Sequence, residues 1–306
     1  MTGFEPAISS STGRRFSQLS YIHHIISNLY ILSFEVKYNH RGVAQMARVL
    51  RLGRRGREFE SHHPDKKMKD VRLISYQKKF NYSYSLGVFP TIELMENRPE
   101  KVIKIIFHPK GKENKGVKKL ISFATSKGVR TEWSEGLIKK IGGNDNTYAV
   151  GVFNKYQEEV EPRVNHLVLA NPEDGGNLGT MIRTALAFGI KDIAVIRPAV
   201  DIFDPKVVRA SMGSIFKVNI EYFDDFTAYK TKHLNHCYLF MTDGEKMLKD
   251  VLFSQPYSLV FGGESSGLSK EYRKYGETVT IPQSKSVDSL NLSIAAGIAM
   301  YSASVR

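Results

Sequence analysis

The sequence predicts an α/β protein whose main sheet is parallel and doubly wound, with helices on both faces. Between residues 164 and 306, short β-branched and apolar runs alternate with segments of helical periodicity. Parallel strands need long crossover connections, so this alternation predicts parallel pairing. Glycine- or serine-rich loops follow three of the predicted strands, at the sheet edge where open α/β sheets bind ligands.

The composition is that of a globular protein with an excess of positive charge. The 306 residues are 42% hydrophobic, which suffices for two ordinary domains, and the formal net charge is +13. Residues 1–67 carry 11 Lys and Arg against 5 Asp and Glu, a net of +6, which leaves +7 for residues 68–306. Lys and Arg bind phosphates by releasing counterions, so the charge fits a nucleic-acid partner. A basic protein without such a partner would show the same excess.

The single cysteine, Cys237, excludes a disulfide within the chain and a zinc site built on cysteines. It lies in the apolar run CYLFM, which predicts a buried strand residue and fits a reducing compartment. The apolar stretch 21–34 contains His and Asn, is too short to span a bilayer and precedes no clear cleavage site. A cytoplasmic protein that does not enter a membrane is therefore expected.

Residues 1–67 show no regular period and do not resemble a folded domain. Serine and arginine clusters surround one short apolar piece. One interpretation is a disordered basic arm that binds RNA, or a targeting peptide. The other, which we favour, is a non-native extension with translation starting at Met68, because the segment resembles the conceptual translation of a tRNA-gene region.

Residues 68–155 predict a small α/β domain. Strands are expected in VIKIIFHP, VRTEW and NTYAVGVF, and a helix in residues 114–128, where Gly128 ends it. The lysine-rich pieces suit contacts with RNA phosphates, although a solvated helix face would have the same composition. The acidic segment 156–163 contains a proline and is expected to be a linker.

Residues 164–306 contain the remaining predicted elements. Strands are expected in VNHLVLA, KDIAVIRP, KVNIEYF, CYLFMT, YSLVFGG and TVTIP. Helices are expected in LGTMIRTALAFG, after the N-cap pair Asp204-Pro205, and in LNLSIAAGIAMYSASV at the C-terminus. Arg183 lies off the apolar face of the first of these helices.

Each glycine- or serine-rich loop, taken alone, is close to another motif. The loop in 171–189 lacks the first glycine of a dinucleotide-binding fingerprint. Gly263-x-Ser265-x-Gly267 matches the nucleophile elbow of serine hydrolases, but the last histidine, His236, precedes the serine, whereas that fold needs one after it. No loop contains the lysine of a P-loop, which argues against an NTPase.

Together, the three loops resemble the three motifs of the SPOUT superfamily, specifically its TrmH (SpoU) group of RNA 2′-O-methyltransferases. N-x-G-x-x-x-R-T-A matches residues 177–185, G-G-E-x-x-G-L-S matches 262–269, and I-P followed by S-L-N-x-S-x-A matches 281–295. The motifs occur in order and cover nearly all of residues 164–306. The chain departs from the family at Gln283, where methionine is usual, and in a longer first loop, which leaves substrate choice open.

The resemblance implies a C-terminal trefoil knot, S-adenosylmethionine as cofactor, no metal, and a homodimer to whose interface the last helix contributes. The small residues Ala295, Ala296, Gly297 and Ala299 suit that contact or, equally, packing within the monomer. Less distinctly, residues 68–155 resemble the ribosomal-protein L30e-like domain that binds RNA substrates. The implied substrate is transfer or ribosomal RNA, methylated on a ribose 2′-hydroxyl.

The resemblance also assigns roles to single residues. The expected catalytic residues are Asn177, Arg183, Glu264, Ser289 and Asn291. The expected cofactor-binding residues are Gly262, Gly263, Gly267, Ile281, Pro282 and Leu290. Glu264 is expected to pair with Asn177 or Arg183, and the glycines to let the backbone approach the cofactor, where a Cβ would clash.

Two alternatives stay open on the sequence. An enzyme of this fold can methylate a base nitrogen instead of a ribose oxygen, and a protein of this fold can bind RNA without catalysis. The complete set of catalytic residues argues against the second. In the family the arginine is the proposed base, yet a group with a pKa above about 12 is a poor base. Arg183 is therefore expected to bind the reacting nucleotide, and the proton acceptor, Arg183 or a phosphate, stays open.

Overall fold

Residues 73–155 form a small N-terminal lobe in a computed structural model that describes residues 73–284 and 286–305. Its strands are β1 (Tyr82–Leu86), β2 (Val102–Phe107), β3 (Arg130–Trp133) and β4 (Ala149–Asn154). Its helices are α1 (Val88–Asn97), α2 (Lys115–Lys127) and α3 (Glu135–Lys140). The sheet order is β1-β4-β2-β3, with β2 and β3 parallel and the other two pairs antiparallel. The hypotheses on residues 1–67 lie outside the described residues.

The elements predicted for this lobe, β2, β3, β4 and α2, are confirmed. The bounds of α2 follow from its caps: the Asn114 side chain accepts backbone N–H groups at 2.9 and 3.2 Å, and Gly128 ends the helix with a φ of 66°. Val117 and Leu120 of the helix are buried against the sheet. The strand β1 and the helices α1 and α3 are additional elements that the sequence patterns do not indicate.

The C-terminal lobe follows from residue 164. Its strands are β5 (His166–Ala170), β6 (Asp192–Ile196), β7 (Asn219–Phe223), β8 (His236–Phe240), β9 (Lys246–Met247), β10 (Tyr257–Phe261) and β11 (Glu277–Thr280). Its helices are α4 (Gly175–Ala187), α5 (Pro205–Ala210), α6 (Phe226–Lys232) and α7 (Leu292–Ser304). Short 3-10 turns lie at Pro99–Lys101, Pro109–Gly111, Ser214–Lys217, Leu248–Asp250 and Lys270–Tyr275.

The seven strands of this lobe form a parallel sheet in the order β7-β6-β5-β10-β8-β11-β9. The predicted α/β class with a parallel sheet is confirmed. Because β10 lies between β5 and β8, and β11 lies on the other side of β8, the loops after β5, β10 and β11 leave the same edge of the sheet within a few strands of one another. This order brings the three sequence motifs together.

Apolar residues fill both faces of the sheet. Along β5, Leu167 and Leu169 point to one core with α4 and α7, whereas Val168 and Ala170 point to a second core with α6. The alternation follows from the two-residue period of a strand. Cys237 is buried in the second core, as its apolar surroundings predict.

The two lobes share buried contacts. Leu94 of α1 and Phe153 of β4 belong to the same apolar core as the C-terminal helices, and the Phe153 ring packs edge-on against Phe216 at 5.2 Å between centroids. Asp201 also accepts a hydrogen bond from the Tyr76 hydroxyl and pairs with Lys155 Nζ, both at 2.7 Å. All described residues fall within one compact unit, Asp70–Arg306, so the lobes form a continuous structure.

Candidate active site

A cavity of about 570 Å³ opens at the carboxyl edge of the parallel sheet. The loops after β8, β10 and β11 form most of its wall, and the first turn of α4, after β5, contributes Asn177. Of the predicted site residues, all except Arg183 and Pro282 line it. The sheet edge expected to bind a ligand is therefore the one that carries a cavity.

The Glu264 carboxylate joins the first and second motif loops. Its Oε2 accepts the backbone N–H of Glu173 at 3.0 Å, and its Oε1 accepts that of Asp174 at 3.2 Å. Asn177 Nδ2 donates to the same Oε1 at 3.3 Å. Of the two partners expected for Glu264, Asn177 makes the contact.

Asn291 connects the third loop to this network. Its Nδ2 donates to Asn177 Oδ1 at 3.3 Å, while its Oδ1 caps α7 by accepting the backbone N–H of Ser293 at 2.9 Å. The side chains of Glu264, Asn177 and Asn291 thus form a continuous chain across all three motif loops. Ser289 lines the same cavity and is exposed.

Arg183 lies two turns along α4 from Asn177 and is exposed, while Met181, Ile182 and Ala185 of the same helix are buried. Within the described part of the chain, its guanidinium has neither a hydrogen-bond nor an ion-pair partner. Arg183 is thus not among the residues that line the cavity. Its charge is available to a ligand that approaches from solvent.

Contacts within the protein explain why glycine is needed at the three predicted positions. A Cβ on Gly262 would collide with the backbone of Gly267, and one on Gly263 would come within 2.8 Å of the Asn171 carbonyl oxygen. Gly267 has a φ of 62°, in the left-handed region, and its N–H donates to the Gly263 carbonyl at 3.0 Å. The glycines close the second loop on itself, a reason that differs from the predicted approach of a cofactor.

Several residues at the site are not indicated by the motifs. Ser265 Oγ donates to the Glu173 carboxylate at 3.2 Å, a second link between the first two loops. Asp174 caps α4 by accepting the Asn177 N–H at 2.9 Å and pairs with Lys206 Nζ at 2.5 Å. The lysine, followed by that N–H group, holds the pKa of Asp174 below its usual value. An Asp before a helix signals an N-cap, whereas the contacts of Glu173 and Lys206 need the fold.

Asp243 also lines the cavity, in the loop after β8, and pairs with Arg273 at 2.7 Å. It follows a predicted strand, so its position at the binding edge could have been inferred. Within residues 73–284 and 286–305, no group of three or more His, Cys, Asp or Glu side chains is arranged to hold a metal ion. No helix in the same residues is long and apolar enough to cross a membrane.

The motif-bearing lobe matches known proteins over most of its length. The family model described as SpoU rRNA Methylase family matches residues 165–301. A putative tRNA (cytidine(34)-2′-O)-methyltransferase of Geobacillus stearothermophilus is 32% identical over 145 residues, which are 45% of this chain and 92% of that protein. The chain belongs to the SpoU rRNA methylase family.

Two further similar proteins differ in how much of each chain is matched. An uncharacterized tRNA/rRNA methyltransferase of Synechocystis sp. is 36% identical over 141 residues, or 45% of this chain and 52% of that protein. The chain thus spans about half the length of curated relatives of this kind. The solved structure of the SpoU methyltransferase AviRb from Streptomyces viridochromogenes with AdoMet matches 74% of this chain and 90% of that one, with 25% identity and a TM-score of 0.63. The fold is that of the SPOUT methyltransferases.

Proposed function

We propose that the protein is an S-adenosylmethionine-dependent RNA methyltransferase that acts on a ribose 2′-hydroxyl of transfer or ribosomal RNA. The observation that carries the proposal is the hydrogen-bond network of the Glu264, Asn177 and Asn291 side chains, which connects the three family motifs around one cavity. A protein that only bound RNA would not need this network. The relative from Geobacillus is named as a 2′-O-methyltransferase, which favours ribose oxygen over a base nitrogen.

The cavity suits S-adenosylmethionine in size and in the chemistry of its walls. About 570 Å³ lies within the range of roughly 300–1,000 Å³ that is usual for small-molecule sites. Ile281 and Leu290 offer apolar surface for an adenine ring, with backbone groups of Gly262, Gly263 and Gly267 nearby. The acidic side chain of Glu264 complements a cationic ligand. Pro282 remains a proposed contact from the motif alone.

When bound, the cofactor supplies a methyl group on a positively charged sulfur for in-line transfer to oxygen. In this proposal Asn177 and Asn291 orient the ribose, Glu264 fixes Asn177, and Arg183 binds the reacting nucleotide. Ser289 is assigned to substrate positioning. Orientation of this kind can supply up to about 7–11 kcal/mol of catalysis. The proton leaves to Arg183 or to an RNA phosphate, and the high pKa of a guanidinium favours the phosphate.

For the domains, we propose an L30e-like RNA-binding domain in 68–155, a linker in 156–163 and a SPOUT domain in 164–306. The mixed four-stranded sheet with exposed lysines such as Lys110 and Lys112 supports RNA binding by the first. A trefoil knot is proposed for the SPOUT domain, and the insertion of β10 between β5 and β8 supports it. For residues 1–67 we keep the hypothesis of a non-native extension, and a cytoplasmic location stays a prediction.

A homodimer is proposed through α7, but not through its small residues. Ala296 and Ala299 are buried within the monomer, where α7 packs on α4. On the other side of α7, Ile294, Ile298 and Tyr301 expose between 39% and 58% of their surface, an apolar stripe on a helix. Replacing Ile298 by Glu is expected to convert a dimer into a monomer in light scattering. A wild-type protein that is monomeric at micromolar concentration would refute the dimer.

The function is tested with methyl-labelled S-adenosylmethionine and total RNA from cells that lack the gene. The RNA is digested, its nucleosides are identified by mass spectrometry, and Arg183→Ala is assayed in parallel. Label in a 2′-O-methylated nucleoside, absent with the variant, is the expected result. Label on a base would replace the ribose assignment by the nitrogen alternative. Failure of the protein to bind S-adenosylmethionine would refute the proposal.

A further inference from the structure

A second, shallow groove of about 560 Å³ lies beside the candidate active site, between the two lobes. Leu86 at the end of β1 contributes from the N-terminal lobe, and Pro205, Ala210 and Met212 contribute from α5 and the turn that follows it. These side chains give the groove a largely apolar floor. None of the three family motifs includes them, and the methyl-transfer mechanism does not use them.

The rim of the groove is positively charged. Lys206 and Arg209 both line it and are exposed. Lys206 is held by its ion pair with Asp174, which partly neutralises it. In contrast, the guanidinium of Arg209 has no hydrogen-bond or ion-pair partner within residues 73–284 and 286–305. An apolar floor under an uncompensated guanidinium suits a ligand with a flat apolar face and an anionic group, as a nucleotide has.

The groove is adjacent to the cavity in the chain as well as in space. Gly176 lines the groove, and the next residue, Asn177, lines the cavity. The groove also has a fixed shape, because a Cβ on Gly213, just after Met212, would come within 2.7 Å of Glu93 Cβ in α1. The turn after α5 is therefore packed tightly against the N-terminal lobe, and the groove is ready-formed.

We propose that this groove binds the RNA nucleotide that adjoins the methylated one. Its base lies on Leu86, Ala210 and Met212, and Arg209 binds its phosphate. This inference rests on the proposed function for the identity of the ligand, because an RNA strand whose ribose reaches Asn177 must pass the groove or the opposite side of the cavity. The charge of Arg209 selects the groove.

The test uses the full chain, a fluorescein-labelled single-stranded RNA 12-mer of mixed sequence and fluorescence anisotropy at several salt concentrations. Arg209→Glu is expected to weaken binding on the order of tenfold, the loss of one charge-assisted contact. With Arg209→Ala, the slope of log K against log salt should fall by about 0.7. Lys191→Glu is the matched control, since Lys191 is exposed directly before β6, at the edge of the sheet opposite the cavity, and the change of charge is the same. Equal losses for Arg209→Glu and Lys191→Glu would overturn the proposal.

A second measurement on the wild-type protein does not depend on the folding of a variant. RNA that contains 4-thiouridine is crosslinked to the full chain by light, and the modified peptides are mapped by mass spectrometry. Crosslinks within residues 205–213 or at Leu86 are expected, and crosslinks found only elsewhere would refute the groove. Titration with S-adenosylmethionine distinguishes a failure of the proposed groove from a failure of the proposed methyltransferase function. Selective loss of RNA binding in Arg209→Glu without any cofactor binding would retain the groove and refute the methyltransferase.

Discussion

Glu264 links two of the motif loops at the candidate active site. Its two carboxylate oxygens accept two backbone N–H groups of the first loop and the amide of Asn177. A charged acceptor of this kind is stronger than a neutral one. We therefore propose that Glu264 is a positioning residue, which acts through Asn177.

Replacing Glu264 by Gln is expected to lower kcat about 100-fold, the usual effect of a small misplacement of a catalytic group. The glutamine presents an NH₂ group to a backbone N–H, so one of the loop contacts is lost. Steady-state kinetics should show a smaller change in KM than in kcat. Glu271→Gln, at an exposed position, is the control and should match the wild type. A kcat for Glu264→Gln within threefold of the wild type would contradict the positioning role.

A second residue-scale property lies near the amino ends of the strands. His233 is buried, neither of its ring nitrogens has a partner, and its ring centroid is 4.9 Å from that of His166. Burial, followed by the charge of a protonated His166, lowers the pKa of His233 to about 4. Glu221 and Asp192 oppose this effect, and Lys232 adds to it. Burial also lowers the pKa of His166.

Stability is expected to fall as the pH drops from about 6.5 towards 4. In that window the unfolded chain binds a proton at His233 and the folded protein does not, so protons favour unfolding. Between pH 7.5 and 5 the free energy of unfolding should fall by about 2 kcal/mol from this residue. Urea unfolding at several pH values measures the change. His233→Phe should flatten the profile, whereas the exposed His236→Gln should leave it unchanged. An equal slope in both variants would exclude His233 as the cause.

At the scale of elements, the sequence patterns predicted helices whose position depends on neighbouring residues in the chain. The helix α4 could be located from the spacing of Leu178, Met181 and Ile182, which are all buried, and α2 from its apolar face and the glycine that ends it. The meeting of the three motif loops could not be derived from periodicity, because it depends on β10 pairing with β5 and β8 rather than with its chain neighbours. The sequence also left open whether Ala296 and Ala299 are buried within the monomer or in a dimer interface, since a face of small residues suits both contacts.

The second motif loop, residues 262–268, is expected to depend on its first glycine. In Gly262→Ala the new Cβ would collide with the Gly267 backbone, which cannot move without opening the loop. We expect loss of S-adenosylmethionine binding in calorimetry and a clear drop in Tm. Gly136→Ala is the control, because Gly136 lies in the helix α3 and a Cβ there would meet no atom within 4 Å. That change should raise stability by roughly 0.5–1 kcal/mol. Normal cofactor affinity in Gly262→Ala would show that the loop adapts.

On the scale of the whole molecule, the contact between the lobes combines apolar and charged groups. Phe153 and Leu94 belong to the main apolar core. Asp201 accepts a hydrogen bond from the Tyr76 hydroxyl and forms an ion pair with Lys155. Lys155 and Asp201 expose only 16% and 13% of their side chains, so each would be left largely desolvated without the other. Desolvation, followed by the hydrogen bond to Asp201, raises the pKa of Tyr76 and keeps its hydroxyl a donor.

Asp201→Ala is expected to lower the free energy of unfolding by about 2–3 kcal/mol, somewhat less than for a fully buried pair. Hydrogen exchange of β1 and β4 should accelerate, because these strands lie next to the lost contact. Glu113→Ala removes an ion pair with Lys118 that is exposed on both sides, so it should change the free energy of unfolding much less than Asp201→Ala does. Equal effects of the two substitutions would mean that the lobes are held by the apolar contacts alone.

The tight junction between the lobes has a consequence for the choice of target. Gly213 packs against α1, and Asp201 bonds to two residues of the N-terminal side, so a movement of the small lobe relative to the sheet would have to break these contacts. If both lobes bind the RNA, as we propose, their contacts hold the two binding surfaces at a set distance from each other. The protein would then select its target nucleotide by its distance from the RNA element that the small lobe binds. RNAs with a lengthened or shortened stem would be methylated at a shifted position or not at all.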